Sequence, residues 1–314
     1  MNLSKKIVSS LAGVALAGSA FANTITLAPV VSPTELAEFN GQVQVLEIRK
    51  DEAEFLENRI PGSVRLGYGA FRGPANNPGQ LFELNEFAKA LGSVGLSVDQ
   101  PLVVVHDGSD ATDFGAAARV YWSLKSVGFE NLSILNGGFN AYAAAKFPTV
   151  SGAPQVTPTT LDLNFNDAWY ASTQSIQDGL DSGESRLLDS RTPAFFEGQA
   201  WHGKAKRPGT LPGADNFAFT AFFDEAKLKT QGEVNQVVAA NGLNVPQTVS
   251  YCNTGHWAAT NWFVLSEVAQ IPEVSLYAES MVEWSNSDLA MDNVPGPLEF
   301  ALLKTKKWFG ALGN

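Results

Sequence analysis

The sequence has one cysteine, Cys252, among 314 residues. A single thiol excludes an intramolecular disulfide and a thiolate metal cluster, and a chain of this length buries enough apolar surface to fold without disulfides. Only three histidines are present, His106, His202 and His256, and their spacing matches no metal-ligand pattern. The sequence also has no glycine-rich phosphate-binding motif. These features predict no metal site, and they leave Cys252 as either a buried structural residue or a reactive thiol.

Long hydrophobic runs are also lacking, since a membrane-spanning helix needs about 20 apolar residues. The short apolar run Ile7–Ala17 follows Lys5 and Lys6 and precedes the small-residue motif Ala20-Phe21-Ala22. This pattern predicts a signal peptide over residues 1–22 that is cleaved after its last alanine. The mature chain is then exported, periplasmic in a bacterium, and not bound to the membrane. A retained membrane anchor is the alternative, and the shortness of the run disfavours it.

The charge is negative overall, with 32 acidic and 21 basic residues and a net charge of −11. The charges are scattered along the chain rather than grouped in blocks, which argues against nucleic acid or an anionic membrane as a partner. Cleavage of the predicted signal peptide would remove Lys5 and Lys6 and make the net charge still more negative. An anionic substrate therefore needs a local positive field at its binding site.

The sequence contains an internal repeat of about 145 residues, which indicates a duplicated domain rather than a solenoid. Each half contains an early strand, a central apolar strand, an aromatic-rich helix and a short returning strand. The matching pairs are Val45–Arg49 with Leu187–Arg191, Pro101–Asp107 with Thr248–Cys252, Ala116–Ser126 with Ala258–Ala269, and Leu132–Leu135 with Val274–Tyr277.

Short apolar strands that alternate with helices predict an α/β fold, in which each half is a mainly parallel sheet with helices on both faces. The stretch 148–158 is rich in Thr, Pro, Ser and Gly and predicts a linker. The predicted organisation is a first domain over 23–150, a linker over 151–164 and a second domain over 165–314. Ligands of such sheets bind beyond the carboxyl ends of the strands, where we expect Asp107 and Cys252 at equivalent positions.

Cys252 follows a β-branched apolar strand and precedes a helix that starts near Ala258. A thiol in that position faces unpaired backbone N–H groups and the positive end of a helix dipole. Both favour the thiolate, which is the nucleophilic form. We therefore expect Cys252 to be reactive, with main-chain amides converging on its sulfur.

In these motifs the sequence resembles the tandem-domain rhodaneses, which are thiosulfate and 3-mercaptopyruvate sulfurtransferases. The resemblance covers nearly all of the mature chain, and Cys252 falls where that family keeps its nucleophile. The matching segments are Val103–Gly108, Ala118–Trp122, Val127–Phe129 and Leu135–Phe139 in the first half, and Asp189–Arg191 and Gly209–Ala214 in the second.

The resemblance implies that a Cys252 persulfide carries a sulfane sulfur from a small-molecule donor to a thiol or cyanide-like acceptor, with ping-pong kinetics. It implies no cofactor. A periplasmic sulfur-accepting protein is a further candidate partner. The loop after the cysteine has the length that the wider superfamily uses for sulfur, whereas one more residue accompanies phosphate or arsenate. The residues of this predicted cradle are Asn253, Thr254, Gly255, His256 and Trp257.

The cradle departs from the family pattern, because cationic or hydroxyl groups usually follow the cysteine and here only Gly255 keeps its family identity. An arginine that the family uses four residues after Arg191 is Phe195 in this chain. Arg207 matches a second arginine of the mercaptopyruvate branch by position. Arg207 and its neighbours Lys204 and Lys206 either bind the donor's anionic group or form a solvated surface turn.

The roles of the other site residues stay open at this point. Arg191 either contacts substrate or pairs with Asp189 to pin the loops around the site. His256 is a general base, an anion contact or a solvent-facing loop residue. Trp257 is either part of the core or an acceptor-docking residue. The first domain, which lacks a cysteine, is expected to form one wall of the cleft and to support the second.

Two other functions are compatible with this pattern. In the first, the protein is a non-enzymatic periplasmic persulfide carrier or a partner-docking rhodanese-like protein, which the poor set of anion contacts favours. In the second, it is a phosphatase or arsenate reductase on the same fold, which the short loop disfavours.

Overall fold

The computed structural model describes residues 25–183 and 185–312. The predicted signal peptide over 1–22 lies outside these residues. Two parallel β-sheets, one in each half of the chain, confirm the α/β fold. In the described part of the chain, no helix is both long enough and apolar enough to span a bilayer.

The first half forms a five-stranded parallel sheet with the strand order β1-β5-β4-β2-β3. The central strand, β4, is buried along its whole length, as expected for an apolar run that is covered on both faces. The strands are β1 (Val30–Val31), β2 (Gln44–Glu47), β3 (Val64–Arg65), β4 (Leu102–Val105) and β5 (Leu132–Leu135).

The helices of the first half pack on both faces of this sheet. A 3₁₀ turn over Tyr68–Phe71 follows β3. The helices are α1 (Pro33–Glu38), α2 (Glu52–Glu57), α3 (Leu84–Ser93), α4 (Ala111–Lys125) and α5 (Gly138–Ala144).

The second half forms a four-stranded parallel sheet with the order β11-β10-β6-β7 and a separate two-stranded antiparallel ribbon, whose Leu228 exchanges two hydrogen bonds with Asn136 of the first half. The sheet strands are β6 (Arg186–Asp189), β7 (Asp215–Asn216), β10 (Thr248–Tyr251) and β11 (Ser275–Leu276), and the ribbon strands are β8 (Phe223–Asp224) and β9 (Lys227–Leu228).

The aromatic-rich helix that we predicted over Ala258–Ala269 is divided in the structure. Its α-helical part ends at Phe263, and a π-helical turn continues over Val264–Val268, where the Ala269 amide donates to the Val264 carbonyl. The helices of this half are α6 (Thr173–Ser182), α7 (Pro193–Phe196), α8 (Gln231–Ala240), α9 (Trp257–Phe263), α10 (Ser280–Asn286) and α11 (Pro297–Leu312).

The two halves pack through helices α4 and α9, which are the equivalent helices of the repeat. Residues 113–124 of α4 are all buried, as expected for a helix that is enclosed by protein. The ring of Phe263 packs edge-on against Tyr121, with 4.9 Å between centroids, and against Phe114 at 5.8 Å. These aromatic residues belong to one continuous core. Helix α9, which also packs on β10, is therefore held against the first half.

The strand registers correct one prediction about the repeat. Glu47 pairs with Val105 in the first sheet, and Asp189 pairs with Tyr251 in the second. The next residue along each central strand is therefore His106 in the first half and Cys252 in the second. His106, not Asp107, occupies the position equivalent to the cysteine.

The predicted linker over 151–164 contains no helix or strand and runs along the first half. The Gly152 amide donates to the Leu56 carbonyl, and the Thr159 amide donates to the Gly92 carbonyl. These main-chain bonds fix the path of the segment between the two sheets.

Candidate active site

Cys252 is the first residue after β10, at the carboxyl end of the second sheet. Strand β10 lies between β6 and β11, so the loop that follows it leaves from the middle of the sheet edge. The Cys252 side chain is buried, with 1% of the residue exposed. This burial is what the alternative of a structural cysteine predicts, and a reagent must open the site to reach the sulfur.

Ser280 holds the Cys252 loop in its shape. Its hydroxyl accepts hydrogen bonds from the amides of Cys252 and Gly255, both at 3.1 Å, and donates to the Tyr277 carbonyl at 2.7 Å. Ser280 has a left-handed backbone, with φ of +55°, and corresponds to Gly138 of the first half, with φ of +59°. The three hydrogen bonds of the Ser280 hydroxyl compensate for the strain of this backbone conformation.

The remaining amides of the loop have no protein acceptor. In the described part of the chain, no hydrogen bond is formed by the amides of Asn253, Thr254, His256 and Trp257. None of them donates to the Cys252 sulfur, so the expected convergence on Sγ is not present in this conformation. These four amides are therefore left without a protein acceptor among the described residues.

Asp189 and Arg191 form a buried ion pair beneath the loop. The Arg191 Nη2 atom lies 2.6 Å from Asp189 Oδ2, and Nη1 donates to Asn253 Oδ1 at 3.3 Å. Burial lowers the pKa of Arg191, but the Asp189 carboxylate outweighs it and the net pKa is raised. Asp189 also accepts from the Thr210 hydroxyl at 2.8 Å. Both residues have full sets of protein partners, which indicates that the pair positions the loop.

His256 links the loop to the first half of the chain. Its Nε2 lies 2.8 Å from the Thr112 carbonyl, which can only accept, so Nε2 carries the proton. Its Nδ1 then accepts from the Tyr68 hydroxyl, also at 2.8 Å. Burial, followed by the charge of Arg72, lowers the pKa of His256 to about 4. A neutral histidine with both nitrogens engaged positions the loop and is not a free general base.

Trp257 is enclosed by aromatic rings. It stacks on Phe219 with 5.2 Å between centroids and an angle of 13°, and meets Phe195 edge-on at 5.9 Å. The Arg191 guanidinium lies 5.7 Å from the centre of the Phe195 ring. Phe195 therefore packs between Trp257 and Arg191 and contributes an apolar ring, not a charge, to this part of the site.

The basic residues before Gly209 lie apart from the Cys252 loop. Arg207 donates from Nη2 to the Leu289 carbonyl at 2.8 Å and from Nε to the Met291 sulfur at 3.2 Å. Lys206 forms an exposed ion pair with Asp288, and Lys204 is exposed. Within residues 25–183 and 185–312, no hydrogen bond or ion pair joins Arg207 to the Cys252 loop.

The first half supplies residues to the site that the sequence analysis missed, and Arg119 is the foremost. It projects from α4, is fully buried, and donates from Nη2 to the Gly79 carbonyl at 3.1 Å. Its Nη1 packs against Gly255, since a β-carbon added there would lie 2.4 Å from it. An arginine inside an otherwise apolar helix was the available signal, because such a charge needs a partner nearby.

Glu279 is a buried carboxyl next to Ser280. It is 4% exposed; its Oε1 accepts from the Tyr170 hydroxyl at 3.1 Å, and its Oε2 has no hydrogen-bond partner in the described residues. Burial, with a smaller contribution from the Glu283 charge, raises the pKa of Glu279 to about 7. This carboxyl is therefore protonated in the folded protein at mildly acidic pH.

Glu279→Gln is expected to make stability less dependent on pH. Between pH 4.5 and about 7 the unfolded chain loses this proton while the folded chain keeps it, so the free energy of unfolding falls as pH rises. Across that range this group should lower the free energy of unfolding of the wild type by up to about 3 kcal/mol, and the variant should not show this decrease. Denaturant unfolding at several pH values measures the slope. The exposed Glu130→Gln is the control, and equal slopes for both variants would contradict the assignment.

Among the residues described, no group of three His, Cys, Asp or Glu side chains is placed to hold a metal ion.

Comparisons with known proteins agree with this arrangement. The model of the rhodanese-like domain matches residues 32–145 and again residues 172–287. The chain is 28% identical over 258 residues to a thiosulfate sulfurtransferase of Corynebacterium glutamicum, covering 78% of this chain and 82% of the relative. It is 26% identical over 252 residues to the 3-mercaptopyruvate sulfurtransferase of Escherichia coli K12, covering 79% and 88%.

A solved structure shows the same fold. The crystal structure of SseA from Escherichia coli, a 3-mercaptopyruvate sulfotransferase, superposes with a TM-score of 0.70 at 23% sequence identity, covering 81% of this chain and 99% of that one. With two sheets in tandem and two matches to one domain model, the chain belongs to the rhodanese-like domain family and carries two copies of the domain.

Proposed function

We propose that this protein is a sulfurtransferase that moves a sulfane sulfur from a thiosulfate-type or 3-mercaptopyruvate-type donor to a thiophilic acceptor. The observation that carries the proposal is the position of Cys252. The one cysteine of the chain directly follows the central strand of the second rhodanese-like domain, and the next amides of its loop have no protein acceptor in the described residues.

In the first step the Cys252 thiolate attacks the outer sulfur of thiosulfate or the thiol sulfur of 3-mercaptopyruvate and forms a sulfur–sulfur bond. With thiosulfate, the donor's own sulfur–sulfur bond breaks and its electron pair leaves with sulfite. With 3-mercaptopyruvate, the carbon–sulfur bond breaks, and the leaving enolate takes up a proton to give pyruvate. Both routes leave the same Cys252 persulfide and need no external oxidant or reductant.

In the second step an acceptor such as cyanide or a thiolate attacks the outer sulfur of the persulfide. The bond to Cys252 breaks, its electron pair returns to the cysteine as thiolate, and the acceptor departs with the sulfur. Because donor and acceptor react in turn at one atom, the kinetics should be ping-pong.

The loop amides suit the persulfide better than the free thiol. The outer sulfur lies about 2 Å beyond Sγ and carries the negative charge. The unbonded amides of Asn253, Thr254, His256 and Trp257 are candidate donors to that atom. Backbone donors stabilise an anion without a side-chain charge, which suits a loop that lacks the usual cations.

Donor entry requires movement, because Cys252 is buried. Gly79 of the first domain lies against Ala278 and Glu279, so that a β-carbon at Gly79 would be 2.4 Å from the Ala278 carbonyl oxygen. We infer that displacement of the segment around Gly79 opens the path to the sulfur. The close fit would then exclude water once the donor is bound.

The proposal is tested by the mass of the intact protein after incubation with a panel of donors. A gain of one sulfur atom on wild type and none on Cys252→Ser is the expected result. Subsequent addition of cyanide should restore the original mass and release thiocyanate with repeated turnover. If no sulfane donor adds sulfur while Cys252 is alkylated under the same conditions, the proposal is wrong.

The same measurement separates an enzyme from a carrier. A protein that loads one sulfur but releases it only once to an added thiol is a persulfide carrier for a periplasmic partner. Export is a separate proposal, supported by the pattern of residues 1–22. N-terminal sequencing of protein from the periplasmic fraction should begin at Asn23, and an intact Met1 in that fraction would contradict it.

A further inference from the structure

Two arginines of the first domain are placed at the Cys252 loop without an anionic partner. Arg119 is fully buried, and its Nε and Nη1 atoms have no hydrogen-bond partner in the described part of the chain. Arg72 extends over the Tyr68 ring, 5.3 Å from its centre, and its buried Nη1 also has no partner there. Three guanidinium nitrogens are therefore removed from water with their protons unbonded.

Both cations lie beside the Cys252 loop. Arg119 Nη1 packs against Gly255, three residues after Cys252, and a negative charge on Cys252 raises the pKa of Arg119. Burial, and then the charge of Arg72, lowers the pKa of Arg119 to about 10. The same Arg72 charge acts on His256 in the loop. The two guanidiniums are therefore close enough to repel each other beside the loop.

Two other buried arginines of this chain are paired with acids, and Arg59 donates to three main-chain carbonyls. Arg191 is paired with Asp189 at 2.6 Å, and Arg49 lies 3.3 Å from Glu47. Within residues 25–183 and 185–312, Arg72 and Arg119 form no ion pair. The Glu279 charge raises the pKa of Arg119, but no hydrogen bond or ion pair joins the two in the described residues, and burial raises the pKa of Glu279 to about 7, so this acid is protonated at mildly acidic pH. A buried cation without a counter-charge costs several kcal/mol, which an arriving anion removes.

We propose that Arg119, which is fully buried, and Arg72, which is half-buried, form a pocket that binds the oxyanion group of the sulfur donor. This inference rests on the proposed sulfurtransferase function. The pocket replaces the cation that the second domain lacks at Phe195, and it places the recognition of the donor in the first domain.

The chemistry of the donors fits this pocket. Thiosulfate ends in a sulfonate-type group and 3-mercaptopyruvate ends in a carboxylate, and both can accept two parallel hydrogen bonds from a guanidinium. As the sulfane sulfur passes to Cys252, negative charge develops on the departing sulfite or enolate. Fixed cations beside that group stabilise it as the bond breaks. Such a local positive field is what a chain of net charge −11 needs to attract an anion.

The test compares Arg119→Gln with Arg59→Gln. Arg59 is a buried arginine of the same domain, but it donates to the main-chain carbonyls of Gly152, Ile60 and Ser63 and lies outside the pocket. Arg119→Gln should raise KM for thiosulfate and for 3-mercaptopyruvate about 10- to 100-fold. Arg59→Gln should leave both KM values unchanged. Arg119→Lys, which keeps the charge, should recover part of the loss. An effect on only one donor would identify which oxyanion the pocket holds.

A binding measurement keeps this inference separate from the proposed function. Sulfite for the sulfonate-type group and pyruvate for the carboxylate, compared with chloride at equal ionic strength, should raise the Tm of wild type and of Arg59→Gln. Neither anion should raise the Tm of Arg119→Gln. If sulfur transfer occurs but Arg119→Gln keeps wild-type KM values and the wild-type Tm shifts, the pocket is wrong. If the anions stabilise only the chains with Arg119 while no donor loads Cys252, the pocket stands and the sulfurtransferase proposal fails.

Discussion

Replacement of Cys252 with serine is expected to lower sulfur transfer by at least about 10³-fold, to the level of the uncatalysed reaction. A hydroxyl is a far weaker nucleophile than a thiolate and cannot form a persulfide. The chain has no second cysteine to take over the step. Thiocyanate formation from thiosulfate and cyanide measures the loss, and intact mass should show no added sulfur.

The stability of the serine variant reports the surroundings of the sulfur. Cys252 is 1% exposed and packs in the apolar core, and no hydrogen bond reaches its sulfur in the described residues. A buried hydroxyl there costs about 1–3 kcal/mol unless a loop amide turns to bind it. Cys252→Ala, which adds no polar atom, is the control for loss of the sulfur alone. Substantial transfer by either folded variant would show that Cys252 is not the nucleophile.

Gly255→Ala is expected to reduce activity about 100-fold and to destabilise the protein by about 2–4 kcal/mol. Gly255 has φ of +66°, and an added β-carbon would lie 2.3 Å from the Ala278 carbonyl oxygen and 2.4 Å from Arg119 Nη1. The carbonyl is main chain and cannot rotate away, so the loop itself must shift. A shift of this loop moves the amides on either side of Cys252.

Gly62→Ala is the matched control, because Gly62 also has a left-handed backbone, with φ of +78°, but no atom lies within 4 Å of its added β-carbon. That variant should lose only the conformational term of about 1–2 kcal/mol and keep full activity. Turnover and denaturant unfolding of both variants distinguish the effect of the left-handed backbone from the effect of the contacts made by the added β-carbon. Equal losses for the two would show that backbone conformation alone, and not the contact with Ala278 and Arg119, explains the Gly255 effect.

The sequence predicted the fold well because the strongest signals in it are local. The apolar run of β4 and the matching run of β10 indicate buried parallel strands, and the predicted strand over Leu132–Leu135 has the observed bounds of β5. Register was harder to predict. An apolar strand contains no marker for its partner residue. The sequence therefore suggests Asp107 as the equivalent of Cys252, whereas the pairing of Glu47 with Val105 makes His106 the equivalent residue.

Only those site residues that lie in short sequence motifs could be predicted. Cys252 and the pairing of Asp189 with Arg191 follow from motifs within short segments. Tyr68, Arg119 and Ser280 come from three other elements, and only the packing of α4 on α9 brings the first two to the loop. Arg207 matches an arginine of the mercaptopyruvate branch by position, but its guanidinium is bound to Leu289 and Met291.

The enclosure of α4 has a consequence for how this protein can be divided. If the chain were cut within the linker, the first half alone would expose a long apolar helix to water, and the second would leave His256 without Tyr68 and Thr112. Each fragment would lack contacts that the other provides, so we expect the two halves to fold as described only when joined, even though only the second half holds Cys252.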